Sequence, residues 1–188
     1  KKAAIFFILL FSLISLAAAL TYLGFGADDN NGQIPLLYRM VDKSYLSNDW
    51  FVNINDKIIN ERLYFHNFIY FLNYFFSNTS ILYFVLFLLV YFSTGLATYF
   101  ISMHFFKEKK ISLLASFFVL FGASFALGGT LILSNVLVPE SLSFTFCLWG
   151  FYFLLKKRNL LFPIMLGIAT LFHLSLGFLI FGLLFLSS

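Results

Sequence analysis

Long apolar runs alternate with short charged turns along this 188-residue chain, and the apolar runs set its architecture. A helix needs about 20 consecutive apolar residues to cross the hydrocarbon core of a bilayer. Runs of that kind predict spans over roughly Ala3–Phe25, Ile81–Phe106, Ile111 to about Leu127, Val136–Leu155 and Leu160 to about Leu186. No segment carries the two-residue alternation of a transmembrane barrel strand. The pattern predicts an all-α, polytopic transmembrane helix bundle of about five spans, a single membrane domain over residues 1–188. The chain starts without Met and stops in "FLIFGLLFLSS", so it reads as the N-terminal part of a longer protein.

Two stretches break the rhythm. Residues 62–76, "RLYFHNFIYFLNYFF", have a short apolar core interrupted by Asn67 and Asn73, with Tyr64, Tyr70 and Tyr74 suited to the headgroup region. They predict an interfacial helix lying on the outer leaflet. Residues 27–62 are polar, and the whole outer loop runs over 27–80. Within it Ile34, Leu37, Tyr38 and Val41 fall on one helical face, and Pro35 suits a first helical turn. "SNDWF" then gives a cap-rich turn into Trp50 and Phe51, aromatics that favour the membrane interface. The first run has a rival reading as a signal peptide with Ala17-Ala18-Ala19 as its cleavage site. Its apolar core continues through Leu20, Tyr22, Leu23 and Phe25, which favours an uncleaved anchor.

Composition strengthens the membrane reading. Only 11% of residues are charged, against about a quarter in a soluble domain. Eight of the twelve basic residues sit in Lys1/Lys2, "KEKK" at 107–110 and "KKR" at 156–158. The positive-inside rule places these in the cytoplasm, with the N-terminus, and puts the 27–80 loop and the turn near 128–138 outside. The net charge of +4 is therefore a topology signal and implies no nucleic-acid partner. The one cysteine, Cys147, excludes an internal disulfide, and no His or Cys pair has zinc-type spacing. "NTS" at Asn78 has the form of a glycosylation acceptor, a triplet too common to assign.

Candidate chemistry lies at the outer face. Asp28 and Asp29 follow Phe25 by three and four residues, which places them at the outer hydrocarbon boundary. Two adjacent carboxylates repel, raising one pKa or recruiting a hard divalent cation such as Mg²⁺ or Mn²⁺. One of them is alternatively a general base toward a hydroxyl, and the plainer reading is that both cap the next helix. Glu140 follows Pro139 at the start of the fourth span, where an acid suits the helix dipole, yet it shares the outer face with Asp28 and Asp29. His173 stands half way along the last run, and "HLSLG" marks a place where that helix loosens. A histidine inside a span is a functional candidate, with a buried hydrogen-bonded histidine as the ordinary alternative. Arg39 and His66, both in the outer loop, are further substrate-binding candidates beside His173, whereas His104 belongs to the cytoplasmic end.

This layout resembles the integral-membrane glycosyltransferases of the type C fold (GT-C). The resemblance is carried by "ADDNNGQIPLLYRMVDKSYLSNDWF" after the first span and by "PESL" at the start of the fourth. It extends to multi-pass bacterial membrane proteins of the same plan, which implies the inner (plasma) membrane. It implies transfer of a sugar from a polyprenyl-phosphate donor at the extracytoplasmic face. Asp28 or Asp29 would serve as base or metal ligand and Glu140 as the second acid. His173 stands where many relatives place a phosphate-binding arginine, and the outer turn has no Asp-x-Asp. Its partners would be the lipid bilayer and the lipid-linked sugar donor. A transporter or flippase, or a non-catalytic multi-pass subunit, is the alternative.

Overall fold

The computed structural model describes residue 10, the even-numbered residues 12–20, and residues 21–57, 62–76, 78–121 and 133–186. Among these the chain is all-helical, without strands. After an N-terminal helical segment come α1 (Asn30–Val41), α2 (Trp50–Lys57), α3 (Leu63–Asn73), α4 (Thr79–Phe106), α5 (Lys109–Phe121), α6 (Pro139–Leu155), α7 (Leu161–Phe172) and α8 (Leu174–Leu186). The start of the first expected span, the end of the third and the turn at 128–132 lie outside the described residues.

The core is built around α4. This helix has 28 residues, about 42 Å at 1.5 Å per residue, and is the one described helix long and apolar enough to cross a membrane. Asn78 caps its start, its side-chain oxygen accepting the Ile81 N–H at 3.2 Å. Lys107 ends it in the left-handed conformation. At Gly95 three helices meet. A Cβ there would lie 2.9 Å from Ile14 Cδ1 and 3.0 Å from Leu120 Cδ1, so a glycine lets the N-terminal segment and α5 approach without those side-chain ends having to shift. Tyr22 packs against Phe84 and Phe87, and Ile14 against Gly95, so the N-terminal segment runs antiparallel to α4. Thr94 meets Thr145 while Phe100 meets Tyr152, so α4 and α6 run parallel.

That topology sorts charge between the ends of the bundle. The basic turns at 107–110 and 156–158 lie together at one end, and Asp28, Asp29 and Glu140 at the other. The interior is mainly apolar, with serines and threonines among the buried residues. Buried serines and threonines knit the helices: Ser116 Oγ donates to the Gly95 carbonyl at 2.9 Å, Ser143 Oγ to the Ala169 carbonyl at 2.8 Å, and Thr94 bonds Thr145 at 2.7 Å. Facing outward are Leu89, Leu114, Phe118, Ile164 and Phe178, all exposed.

Three elements differ from the sequence expectation. Residues 133–138, expected as turn and helix start, are a buried non-helical segment, with Val136, Leu137 and Val138 all buried. Val138 is extended (φ −131°, ψ 157°) because Pro139 disfavours a helical residue before it. The expected continuous run from 160 to 186 is two helices of 12 and 13 residues, parted at His173, which is extended (φ −149°, ψ 99°). A Cβ on Gly177 would sit 2.6 Å from Thr170 Cα, whereas residues seven apart in one helix are separated by about 10 Å. The chain therefore folds back sharply at the break. Finally, α1 begins at Asn30, so Pro35 lies inside it rather than in its first turn.

Candidate functional site

The turn from the N-terminal segment into α1 is tight and left-handed. Gly24 (φ 108°), Gly26 (φ 86°) and Asp28 (φ 51°) all adopt positive φ within five residues. Glycine does this without a steric cost, and aspartate is among the few other residues that tolerate it. The Leu23 N–H donates to the Asn135 carbonyl at 2.9 Å and ties this turn to the segment leading into α6. Asp28–Asp29 on one segment and Glu140 on the other are thereby carried to the same end.

Asp29 stands at the N-cap position of α1, yet its side chain makes no capping hydrogen bond. The capping explanation therefore does not account for it. Its pKa is raised, first by burial, then by the neighbouring Asp28 and by Glu140, while Arg62 pulls the other way. Asp28 and Asp29 are both exposed at the rim, so the burial that raises Asp29 is partial. Glu140 opens α6 directly after Pro139, and its Oε1 lies 3.4 Å from His173 Nε2 across the α7–α8 break. Its Oε2 is buried with no hydrogen-bond partner among the described residues. At the break His173 Nδ1 lies 3.3 Å from both the Leu176 N–H and Ser175 Oγ. Because Nδ1 accepts from Leu176, the ring proton sits on Nε2 and points to Glu140.

Arg62, just before α3, has nothing in its local sequence to set it apart from the other bases of the outer loop. Its Nη1 would be 3.8 Å from a Cβ on Gly32, so it lies against the first turns of α1, and its charge reaches Asp29, Glu140 and His66. His66 is buried on α3, and burial together with Arg62 pushes its pKa down to about 4. Its ring donates to the Gln33 backbone carbonyl. The structure thus gathers Asp29, Glu140, His173 and Arg62, with His66 on the buried side.

Arg39 is not part of the group. Its guanidinium bonds the carbonyls of Lys43 and Tyr45 and, at 3.1 Å, Asn53 Oδ1. It clamps the 42–49 loop to α2, whose start is capped by Asp49 Oδ1 accepting the Val52 N–H at 2.9 Å. These contacts hold Arg39 to the loop. Among the described residues no three of His, Cys, Asp and Glu come together as a metal-ligand set. Asp28 and Asp29 alone do not complete one for Mg²⁺ or Mn²⁺.

The chain matches no protein-family model, no curated protein and no solved structure.

Proposed function

We propose that this chain is a GT-C-like membrane glycosyltransferase that moves a sugar from a polyprenyl-phosphate donor at the extracytoplasmic face. The observation that carries the reading is the meeting of Asp29, Glu140, His173 and Arg62, from four separate segments, at the acidic end of the bundle. A polytopic arrangement is supported by the apolar outer surface and the serine and threonine contacts between helices, the pattern of packing in lipid. The exposed aromatics of α3 and the turn after it, Tyr70, Phe71, Tyr74 and Phe75, together with Trp50, suit an interfacial surface.

In this scheme Asp29 takes the proton of the acceptor hydroxyl as its oxygen bonds to the sugar's anomeric carbon. Its raised pKa makes it a better base than an ordinary carboxylate. The bond from that carbon to the phosphate oxygen breaks, and the polyprenyl phosphate leaves with the electron pair. Arg62 supplies the planar donors that suit a phosphate, and Glu140 holds the His173 Nε2–H at the break.

The test is sugar transfer in proteoliposomes supplied with labelled polyprenyl-phosphate sugars. Asp29→Asn and Arg62→Gln should each lower the rate by about 10²–10⁴ with normal expression. Unchanged transfer in both would remove the proposal. The broken helix at His173 favours a second reading as a transporter, since such breaks line substrate paths. Under that reading, labelled polyprenyl-phosphate sugar crosses the vesicle bilayer without any new glycosidic bond.

A further inference from the structure

The end of the bundle opposite the acidic group carries a concentrated positive charge. Lys107, Lys109, Lys110, Lys156, Lys157 and Arg158 stand there against one acid, Glu108, so six bases less one acid leave a net of +5. All seven residues are exposed, and among the described residues none of the six cations pairs with a carboxylate. Phe105 of α4 lies against Phe151 of α6 with ring centroids 6.5 Å apart, so the two basic turns leave their helices side by side. Between α6 and α7 the second turn opens into a cleft of about 390 Å³ lined by Lys157, Arg158, Asn159, Leu160 and Leu161. The backbone that carries its two cations is fixed. The Lys157 N–H donates to the Leu154 carbonyl and the Arg158 N–H to the Phe153 carbonyl, each at 2.9 Å.

We propose that this cleft binds the headgroup of an anionic membrane phospholipid. The lining selects the class. Lys157 and Arg158 offer an ammonium and a planar guanidinium to a phosphodiester. The surplus of cations around them favours a lipid without a balancing ammonium of its own. Leu160 and Leu161 add an apolar lining, and with Phe105, Phe106 and Ile111 they are exposed beside the basic turns. An acyl chain covers such a rim, whereas a free phosphate or a nucleic acid leaves it wet. Each base near an anionic leaflet contributes about fivefold to binding. The inference rests on the membrane arrangement proposed above and is independent of sugar transfer.

The test uses the full chain carrying Trp50→Phe, which leaves Trp149 as its one tryptophan. Trp149 lies on α6 seven residues before Lys156, about 10 Å along the axis and so at acyl-chain depth. The chain is reconstituted in phosphatidylcholine vesicles containing either brominated phosphatidylcholine or brominated phosphatidylglycerol, and quenching of Trp149 reports which lipid sits beside α6. The brominated phosphatidylglycerol should quench at about one-fifth of the mole fraction or less. Lys157→Gln with Arg158→Gln should bring the two lipids within about twofold, whereas Lys109→Gln with Lys110→Gln should keep most of the preference. Equal quenching by the two lipids, an unchanged preference in the 157/158 variant, or an equal loss in both variants overturns the cleft. Relief of quenching by inorganic phosphate or a single-stranded oligonucleotide at constant ionic strength overturns it too. Quenching by neither lipid removes the membrane arrangement and this site with it. A preference for phosphatidylglycerol in vesicles that transfer no sugar overturns the transfer reading and leaves the lipid site standing.

Discussion

His66 offers a test of the buried site that needs no substrate. Its pKa falls from 6.5 to about 4, mainly because burial penalises the charged ring and secondly because Arg62 repels it. Between those values the unfolded chain binds a proton that the folded chain refuses. Stability is therefore complete above about pH 6.5, declines as pH falls through the window, and levels off near pH 4. Each pKa unit is worth about 1.4 kcal/mol, so the whole decline is about 3 kcal/mol. For a chain of this size it corresponds to roughly 6–12 °C in melting temperature. The comparison is His66→Gln, whose amide still donates to the Gln33 carbonyl but does not titrate. Tryptophan fluorescence melts from pH 7 to pH 4, at one scan rate and constant ionic strength, supply the readout. Nearby carboxylates titrate in both proteins, so the difference between the two curves isolates His66. Wild type should lose those degrees relative to His66→Gln as the pH drops. Arg62→Gln should shrink the loss, because one of its two causes is gone. Parallel curves for wild type and His66→Gln would refute the placement of a neutral, buried imidazole at the α1–α3 contact.

Three further outcomes follow from packing. A Cβ on Gly177 would lie 2.5 Å from Thr170 Oγ1 and 2.6 Å from both its Cα and its N, so Gly177→Ala should cost about 1–3 kcal/mol in thermal melts. Thr170→Ala should not relieve it, because two of the three obstructing atoms are backbone. At Gly95 the obstructing atoms are the ends of Ile14 and Leu120, so the milder loss in Gly95→Ala should be partly recovered by Ile14→Val. Thr145 donates to the Ser141 carbonyl at 2.8 Å and so must accept from Thr94. A Thr94→Val, Thr145→Val cycle should show a coupling of about 1 kcal/mol, and none if the 2.7 Å contact is not a hydrogen bond.

Much of the helical layout was legible in the sequence because it depends on local chemistry. Apolar runs marked α4, and the cap signals of "SNDWF" marked the start of α2, where Asp49 does cap the helix. The interrupted aromatic stretch at 62–76 became α3, with Phe65 and Ile69 buried and Tyr74 fully turned outward. The face of α1 was harder. Apolar spacing selected Ile34, Leu37, Tyr38 and Val41, but Val41 is exposed and the buried side is Asn30, Gln33, Ile34, Leu36 and Leu37. A hydrophobicity pattern cannot assign polar residues to an interior, so two amides on the inward face were invisible to it. Their spacing three apart, in register with Leu37, was the signal that could have found them.

The break at His173 shows where local reading ends. "HLSLG" marks weakness, since a serine and a glycine lower helix propensity, yet neither dictates a reversal of direction. What holds the bent form is distributed. His173 caps the second half-helix through Leu176, Gly177 admits the Thr170 backbone, and Glu140 on another helix takes up the remaining ring nitrogen. The imidazole thus links the bend to the acidic end of the bundle. An uncut helix would have carried His173 past Glu140 on a straight axis, without the extended residue that frees its ring for both contacts. Arg62 is concealed for the same reason. Its neighbours Asp29, Glu140 and His66 lie 33, 78 and 4 positions away in sequence, and only the packing of α1 and α3 onto the bundle brings their charges within reach of one guanidinium. Residues that act alone announce themselves by type, whereas this site depends on the tertiary folding that assembles it.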